Sequence, residues 1–299
     1  MKNHSEKILL SAIVPIGNMA GQLEFLESWI QYVREYSLEI ILVHDQTFLN
    51  VGPELQELSQ SANSSKVILL QGIYGDPGSA RNAGLEIATG DWIGFWDSDD
   101  APDIENIFAA IKTSQENDEI LVGNFSVFDI KTMEYRSPIK NGSGIDSVAM
   151  NPGIWRMAFR RHTISDTKFP SLRMGEDQVF LSHLNFGIRK LRFIESIFYQ
   201  YNLGGSSQLT KSRIALRDLP LASTIILEHA KKTQGKQSIF DMQMFFRQQI
   251  TIIKNGDYLL KLSIFKFIAK FLKKFSFTFL LESMIALIRV LRTIRSTRI

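Results

Sequence analysis

Short apolar runs alternate with stretches of helical periodicity through the first half of the chain. The runs at 8–14, 38–43, 67–70 and 92–96 predict buried strands. Between them, the segments 22–36, 79–88 and 103–114 carry apolar residues at helical spacing. Strand and helix in repeated alternation predict an α/β fold, with a mostly parallel sheet covered by helices on both faces. Ligands bind beyond the carboxyl ends of such strands, so the residues after each run are the candidates for chemistry.

The regular alternation ends near residue 119, and the rest of the pattern is mixed. Residues 120–128 and 193–201 predict strands, 142–153 a loop and 178–186 a helix. From residue 212 nearly everything has helical periodicity, with Gly235 and the pair Asn255 and Gly256 as breaks. We therefore predict an α/β domain at 1–210 and a helical C-terminal region at 211–299.

Composition narrows the class of protein. With 299 residues, of which 44% are hydrophobic and 22% charged, the chain is expected to fold around a large core. It has no cysteine, which excludes disulfides and thiolate metal sites and fits a reducing compartment such as the cytoplasm. The apolar start after Lys7 resembles a secretory signal, but Pro15 and Gly17 interrupt it. We expect a buried first strand there.

An acidic cluster follows the fourth apolar run at Asp97, Ser98, Asp99 and Asp100. Adjacent carboxylates repel one another unless a cation or hydrogen-bond donors compensate their charge. Mg²⁺ or Mn²⁺, held by one or two of these carboxylates together with ligand phosphates, is one explanation. The alternative is an acidic helix start, for which Pro102 is well placed.

Six short motifs together resemble the bacterial family 2 glycosyltransferases, which have the GT-A fold. They are a first strand ending in Pro15 and Asn18, a second ending near Asp45, SARNAG at 79–84, DSDD at 97–100, GED at 175–177 and YQYNLGGSS at 199–207. They occur in the family's order across residues 8–210. The resemblance implies a nucleotide-diphospho-sugar transferase with a Rossmann-like mixed sheet, acting on a donor that is expected to be a UDP-sugar.

The resemblance also assigns a donor site and a metal site. Its donor-binding positions are Pro15, Ile16, Asn18, Asp45, Arg81, Asp97 and Ser98, and its metal candidates are Asp97, Asp99 and Asp100. Asp45 is expected to bind the uracil ring, although the family usually has two acids and a small polar turn here and this chain has HDQT at 44–47. A turn cap is the alternative role of Asp45. For Arg81, expected near the phosphates, the alternative is an exposed helix arginine.

The acids of the GED motif are the expected catalytic residues. The resemblance makes Asp177 the general base that activates an acceptor hydroxyl, with Glu176 orienting it or contacting the acceptor. A helix cap is the alternative role of this pair. Direct displacement with inversion follows, with Mn²⁺ or Mg²⁺ neutralising the departing diphosphate. Trp96, Trp155 and Phe169 offer aromatic surface for a sugar.

Two other functions use some of the same residues. A metal-dependent nucleotidyl or phosphoryl transferase also needs clustered acids, and a non-catalytic module at the membrane surface would bind glycan without turning it over. The expected partners of the enzyme are a nucleotide-sugar and a polysaccharide or lipid-linked glycan acceptor. Nucleic acid is not among them.

The C-terminal tail concentrates basic charge. From residue 254 there are ten Lys and Arg against two acids, a net charge of +8 in a chain whose total is +3. Around residues 264–275 apolar and lysine side chains separate onto opposite faces, and Arg289, Arg292, Arg295 and Arg298 recur every three residues. This pattern predicts an anchor on anionic lipid at the inner face of the cytoplasmic membrane. A helical subdomain that packs on protein is the alternative.

Overall fold

The chain forms two compact units in a computed structural model that describes residues 7–17, 23–48, 52–61, 66–141, 144–204, 212–262, 264 and 276–296. Unit 1 comprises Met1–Lys140, Ile154–Lys168 and Lys190–Ser207, and unit 2 comprises Asn141–Gly153, Phe169–Arg189 and Gln208–Ile299. Unit 2 thus includes two segments from the first 210 residues. The division into domains at residue 210 stays a prediction.

Unit 1 contains the sheet. The strands are β1 (Leu10–Ile16), β2 (Leu38–Asp45), β3 (Val67–Gly72), β4 (Trp92–Phe95), β5 (Ala101–Pro102), β6 (Ile120–Asp129), β7 (Glu134–Ile139), β8 (Met157–Arg160) and β9 (Leu191–Leu203). In the described residues they form one sheet in the order β3-β2-β1-β4-β8-β6-β9-β5, and β7 pairs with β6.

The sheet is mixed and mostly parallel in its first half. β1 is parallel to β2 and β4, and β2 is parallel to β3, as expected for strands joined by crossover helices. β8 is antiparallel to β4 and β6, while β6 and β9 are parallel. The predicted mixed α/β sheet, with helices and a helical C-terminal region, is confirmed.

The helices agree with the periodicity in most places. They are α1 (Leu23–Ile30), α2 (Tyr32–Glu35), α3 (Gly52–Ser61), α4 (Pro77–Ile87), α5 (Ile104–Lys112), α6 (Ile145–Met150), α7 (Arg161–Ile164), α8 (Glu176–His183), α9 (Arg213–Leu216), α10 (Leu219–Lys232), α11 (Lys236–Asn255) and α12 (Phe277–Ser296). The breaks at Gly235 and Gly256 are confirmed. The predicted loop at 142–153 is wrong in part: α6 forms there because Val148 and Ala149 are fully buried, and α6 packs on α11.

The core of unit 1 lies against its central strands. β1 and β2 are buried along almost their whole length, which explains why they read as uninterrupted apolar runs rather than alternating ones. Trp29 and Trp96 meet edge to face in this core, with ring centroids 5.9 Å apart. A packed core therefore supports the strands that carry the candidate site.

Unit 2 is built from helices. α11 packs against α10 and α12, and the buried Glu282 of α12 accepts a hydrogen bond of 2.6 Å from the N–H of Gly235. On α12, Ala286 and Val290 are fully buried, and Arg289 pairs with Asp146 of α6 at 3.0 Å. This face of α12 therefore packs on protein.

The other face of α12 is exposed and apolar. It comprises Phe277, Leu280, Leu281, Met284, Leu287, Ile288 and Leu291, each at least 41% exposed. The predicted amphipathic positions at 265–275, Arg298 and the side chain of Arg295 lie outside the described residues. Of the helices in the described parts of the chain, none combines the length and the apolar character that crossing a bilayer requires.

Candidate active site

Residues predicted from the first strands meet at one end of the sheet in unit 1. Pro15 and Ile16 close β1 and pair with the end of β2. Asp45 is the last residue of β2, and Asp97 follows the end of β4 by two residues. Because these strands are parallel, all of these positions fall at the carboxyl edge of the sheet. Asn18 lies outside the described residues.

Asp45 is held as a carboxylate by its neighbours. Its Oδ1 accepts hydrogen bonds from the N–H and the hydroxyl of Thr47, at 3.0 and 2.9 Å, and its Oδ2 accepts one from the N–H of Gly75 at 2.7 Å. Burial opposes its ionisation, but these hydrogen bonds outweigh burial and the pKa of Asp45 lies below its usual value. The carboxylate therefore caps a turn, the alternative role given above, and also ties the loops after β2 and β3 together.

Helix α4 is fixed at both its start and its middle. Asp76 caps it, accepting a hydrogen bond of 2.8 Å from the N–H of Ser79, and Pro77 occupies its first turn. Gly84 lets the helix lie directly on the sheet, since a Cβ there would be 2.4 Å from Cγ2 of Ile13. The register of α4 on the sheet, and with it the position of Arg81, is thereby set.

Arg81 reaches the acidic cluster from α4. Its side chain is buried, and its Nη2 donates to Oδ1 of Asp97 at 2.8 Å. The alternative of an exposed helix arginine is wrong. The structure thus brings together a buried cation and a carboxylate that the sequence separates by 16 residues. Both stay close to the end of β4, where a phosphate group would find a fixed positive charge.

The acids lie on a tight turn between β4 and β5. The N–H of Asp100 donates to the carbonyl of Asp97 at 3.3 Å, which leaves Ser98 and Asp99 at the tip. Helix α5 is capped by a different acid, Asp103, which accepts a hydrogen bond of 3.0 Å from the N–H of Asn106. The helix-start explanation therefore applies to Asp103, and the acids of the turn need another.

Negative charge in this turn is disfavoured. Burial, followed by the charge of Asp97, raises the pKa of Asp99 to about 6. Asp100 is 1% exposed, and burial together with the charges of Asp97 and Asp99 raises its pKa well above the usual range. A bound cation would relieve this repulsion.

Strand β9 holds the acidic turn in place. The hydroxyl of Tyr199 accepts a hydrogen bond of 2.9 Å from the N–H of Asp97. The N–H of Asn202 donates to Oδ1 of Asp100 at 2.7 Å, and its Nδ2 donates to the carbonyl of Asp99 at 2.9 Å. Sequence reasoning included this strand in the resemblance but gave Tyr199 and Asn202 no role. The one feature of the sequence that could have indicated a role was the presence of their polar groups in a strand that also carries apolar residues.

The GED acids lie in unit 2, at the start of α8. Glu176 and Asp177 occupy the first turn, where carboxylates interact favourably with the helix dipole, but neither is the cap residue, which is Gly175. Glu176 is 7% exposed, and Asp177 is more accessible. Asp177 accepts a hydrogen bond of 2.8 Å from the N–H of Gln178. Accessibility makes Asp177 the better candidate for contact with substrate.

The loop before these acids rests on the C-terminal helices of unit 2. Gly175 has a φ of +87°, and a Cβ there would lie 2.9 Å from Cβ of Ala222 in α10. Arg247 of α11 brings a positive charge to the neighbourhood: burial lowers its pKa, and the charge of Asp177 opposes that shift. The helical C-terminal region thus sets the backbone that carries Asp177.

Comparison with known families identifies the chain. The sequence profile described as glycosyl transferase family 2 matches residues 11–183, more than half of the chain. The matched part includes β1 from its second residue, the acidic turn and α8. The chain belongs to glycosyl transferase family 2.

Known proteins resemble this family 2 chain in sequence or in fold. EpsH of Bacillus subtilis strain 168, named as a glycosyltransferase, is 26% identical over 205 residues, which are 62% of this chain and 58% of EpsH. TarS of S. aureus superposes with a TM-score of 0.59 at 17% identity, over 82% of this chain and 72% of that one. The mannosyltransferase PcManGT of Pyrobaculum calidifontis superposes with a TM-score of 0.56 at 11% identity, over 97% of this chain and 87% of PcManGT. At these identities the two structures share the fold.

A divalent cation fits the acidic turn if phosphates complete its coordination. In the described parts of the chain, no three His, Asp or Glu side chains converge into a metal site. The buried Oδ2 of Asp100 nonetheless lacks a hydrogen-bond donor of ordinary geometry, and Asp99 has a raised pKa. These features suit a hard cation held by one or two carboxylates and a ligand's phosphates, the coordination typical of Mg²⁺.

Proposed function

We propose that this protein is an inverting glycosyltransferase that moves a sugar from a UDP-sugar to a hydroxyl of a cell-surface polysaccharide or a lipid-linked glycan. The ion pair between the buried Arg81 and the partly exposed Asp97, which lies in the acidic turn at the carboxyl edge of the parallel strands, carries the proposal. Family membership supports glycosyl transfer. TarS has been solved with UDP and with UDP-GlcNAc, and PcManGT with GDP-Man and Mn²⁺, which supports a nucleotide-sugar donor.

The donor's nucleotide half is assigned to the edge formed by β1, β2 and α4. The ionised Asp45 accepts a hydrogen bond from the base, and the backbone at Pro15 and Ile16 lines the same side. Asn18 stays a predicted donor contact outside the described residues. Arg81 neutralises a diphosphate oxygen, because its charge is fixed at the end of β4 by Asp97. Asp97 and Ser98 face the ribose.

The acidic turn is assigned to the metal. Asp99 is its principal ligand, because Oδ1 of Asp97 is paired with Arg81 and Oδ1 of Asp100 with Asn202. Mn²⁺ or Mg²⁺ bound there supplies positive charge that stabilises the leaving diphosphate. Tyr199 and Asn202 position the turn for that purpose.

Asp177 is assigned the role of general base. It takes the proton of the acceptor hydroxyl as that oxygen bonds to the anomeric carbon of the donor sugar and the bond from that carbon to the diphosphate oxygen breaks. Attack opposite the leaving group inverts the anomeric configuration. Glu176 is buried and orients Asp177 rather than replacing it.

The bond that is cleaved distinguishes glycosyl transfer from the two alternative functions. Glycosyl transfer releases UDP from a UDP-sugar, whereas nucleotidyl transfer releases pyrophosphate from a nucleoside triphosphate. A non-catalytic glycan-binding module releases neither. In the part of the chain that the structure describes, the acidic turn alone favours the nucleotidyl reaction.

Thermal unfolding tests the donor site directly. UDP with Mn²⁺ should raise the melting temperature, because a ligand that binds only the folded state stabilises it by mass action. Chelator, or replacement of Asp99 and Asp100 together by Asn, should remove most of that gain. An unchanged, metal-dependent gain in the double variant would place the nucleotide elsewhere.

We also place the enzyme at the inner face of the cytoplasmic membrane, bound through the exposed face of α12. Among the described residues that face carries apolar side chains, Arg292 is exposed beside it, and Glu282, the acid of that helix, is turned inward. Helices of this composition lie in the interface and are drawn to anionic lipid. Such a location suits a lipid-linked acceptor.

A further inference from the structure

Trp155 differs from the other tryptophans of the chain in its exposure. Of the four, Trp29, Trp92 and Trp96 are at most 2% exposed, whereas Trp155 is partly exposed. Phe169, also predicted as a sugar contact, is buried and stacks on Phe180. Among the three aromatic candidates of the sequence analysis, only Trp155 presents surface to a ligand.

The indole of Trp155 is held rigidly from one side. It stacks on Tyr199 and Tyr201 of β9, with centroids 4.6 and 5.8 Å apart and planes inclined by 26° and 16°. Phe125 of β6 meets it edge to face at 4.8 Å, and the guanidinium of Arg156 covers Phe125 at 5.1 Å. A flat apolar surface fixed in this way costs little conformational entropy when a ligand lies on it.

The aromatic cluster of Trp155, Tyr199, Tyr201 and Phe125 is hydrogen-bonded to the acidic turn. Tyr199, which lies under the indole, also accepts the hydrogen bond from the N–H of Asp97. In the sheet, β4 separates β1 and β2 from β8, β6 and β9. The aromatic cluster and the proposed nucleotide positions on β1 and β2 therefore lie on opposite sides of β4 in the sheet of unit 1.

We propose that the exposed surface of Trp155 is the platform on which a pyranose ring of the acceptor lies; this inference rests on the proposed glycosyl transfer. The C–H groups on one face of a pyranose carry slight positive charge, and the face of an indole is negative, so the two attract while apolar area is buried. An acceptor that approaches from the side of β4 away from the nucleotide positions meets this surface. A donor sugar has the same C–H chemistry, so the experiment separates the two sources.

The test compares the wild type with Trp155→Phe and Trp155→Ala. UDP release from UDP-GlcNAc and other UDP-sugars with Mn²⁺ is measured with a series of octyl glycosides as acceptor probes. We expect Trp155→Ala to raise the glycoside concentration for half-maximal stimulation about tenfold or more, and Trp155→Phe to retain most of the effect. The melting-temperature gain from UDP should be the same in all three proteins.

A second readout does not depend on turnover. Since the other tryptophans are buried, acrylamide should quench mainly the fluorescence of Trp155, and a stimulating glycoside should protect it. If Trp155→Ala is stimulated like the wild type, or if no glycoside either stimulates or protects, the proposal is overturned. If the variant loses affinity for UDP-GlcNAc relative to UDP, Trp155 holds the donor sugar and the acceptor assignment is wrong. A wild type that binds neither UDP nor UDP-sugar refutes the proposed function itself.

Discussion

Single charged residues decide the chemistry proposed for unit 1, and Arg81 is the clearest case. Its side chain is 6% exposed and pairs with Asp97, whereas Arg136 pairs with Asp129 while 61% exposed. Removal of a buried charged hydrogen bond costs about 1.5–3 kcal/mol, so Arg81→Ala should weaken UDP binding about 10- to 100-fold by calorimetry. Arg136→Ala is the matched control and should leave UDP affinity unchanged. Equal affinity in both variants would remove Arg81 from the donor site.

Asp99 should make the metal-free protein less stable as pH rises. Its pKa is about 6 when folded, against an ordinary value of 3.8, so between these pH values the folded state binds more protons than the unfolded state. The free energy of unfolding should therefore fall from about pH 4 to pH 6 and then level off. In EDTA at pH 7, Asp99→Asn should raise it by about 1–3 kcal/mol, as measured by urea denaturation.

Asp129 supplies a control of opposite sign. Hydrogen bonds led by the N–H of Lys131 lower its pKa, so its carboxylate stabilises the folded state above the ordinary pKa and loses that effect as pH falls. Asp129→Asn should destabilise at pH 7. If Asp99→Asn also destabilises the metal-free protein, negative charge at Asp99 does not disfavour folding, and the explanation given for the acidic turn is wrong.

At the scale of elements, Gly84 fixes α4 on the sheet. Gly84→Ala places a Cβ against Ile13, and crowding of this kind costs about 1–3 kcal/mol. We expect a lower free energy of unfolding and, because Arg81 lies one turn earlier, weaker UDP binding. Gly52→Ala, whose Cβ would make contacts no closer than 3.4 Å, should stay within about 0.5 kcal/mol of the wild type.

Sequence reasoning predicted the elements whose pattern is local. β1, β2 and β4 are almost wholly buried, so each is a continuous apolar run, and the partly buried edge strand β3 begins with one. α4 and α5 have caps beside them in the chain. β5 has two residues and β8 has four, too short for any periodicity, and they are strands because distant partners pair with them. α6 was missed because packing in unit 2 makes it helical.

The residues of the candidate site likewise fall into two groups: those that local sequence predicts and those that depend on distant contacts. Asp45, Arg81 and the acidic turn follow strands or lie in compact motifs, so sequence could place them. The support from β9 could not be predicted, because the hydrogen bond from Asn202 to Asp100 spans 102 residues and depends on how β5 pairs with β9. The burial that raises the pKa of Asp99 likewise exists only in the folded chain.

Over the whole molecule, the exposed face of α12 should determine where the enzyme works. Met284→Glu with Ile288→Glu changes two exposed side chains, so folding should persist, while loss of two apolar contacts should reduce binding to anionic vesicles about tenfold or more. Sedimentation with anionic and neutral vesicles measures this, and added salt should weaken the wild type. Ile188→Glu, at a residue that is 63% exposed in unit 2, is the control. Equal binding by all three proteins would mean that α12 serves only to pack on protein.

The central claim is that the protein breaks the bond between sugar and diphosphate, and the rate of UDP release from a series of UDP-sugars tests it most directly. We predict release by the wild type with Mn²⁺, its loss in excess EDTA, and a decrease of roughly two to four orders of magnitude in Asp177→Asn, in which UDP still raises the melting temperature. Glu176→Gln is the matched variant and should retain more of the rate. Release of pyrophosphate from nucleoside triphosphates without any release of UDP from UDP-sugars, or a normal rate in Asp177→Asn, would contradict the account.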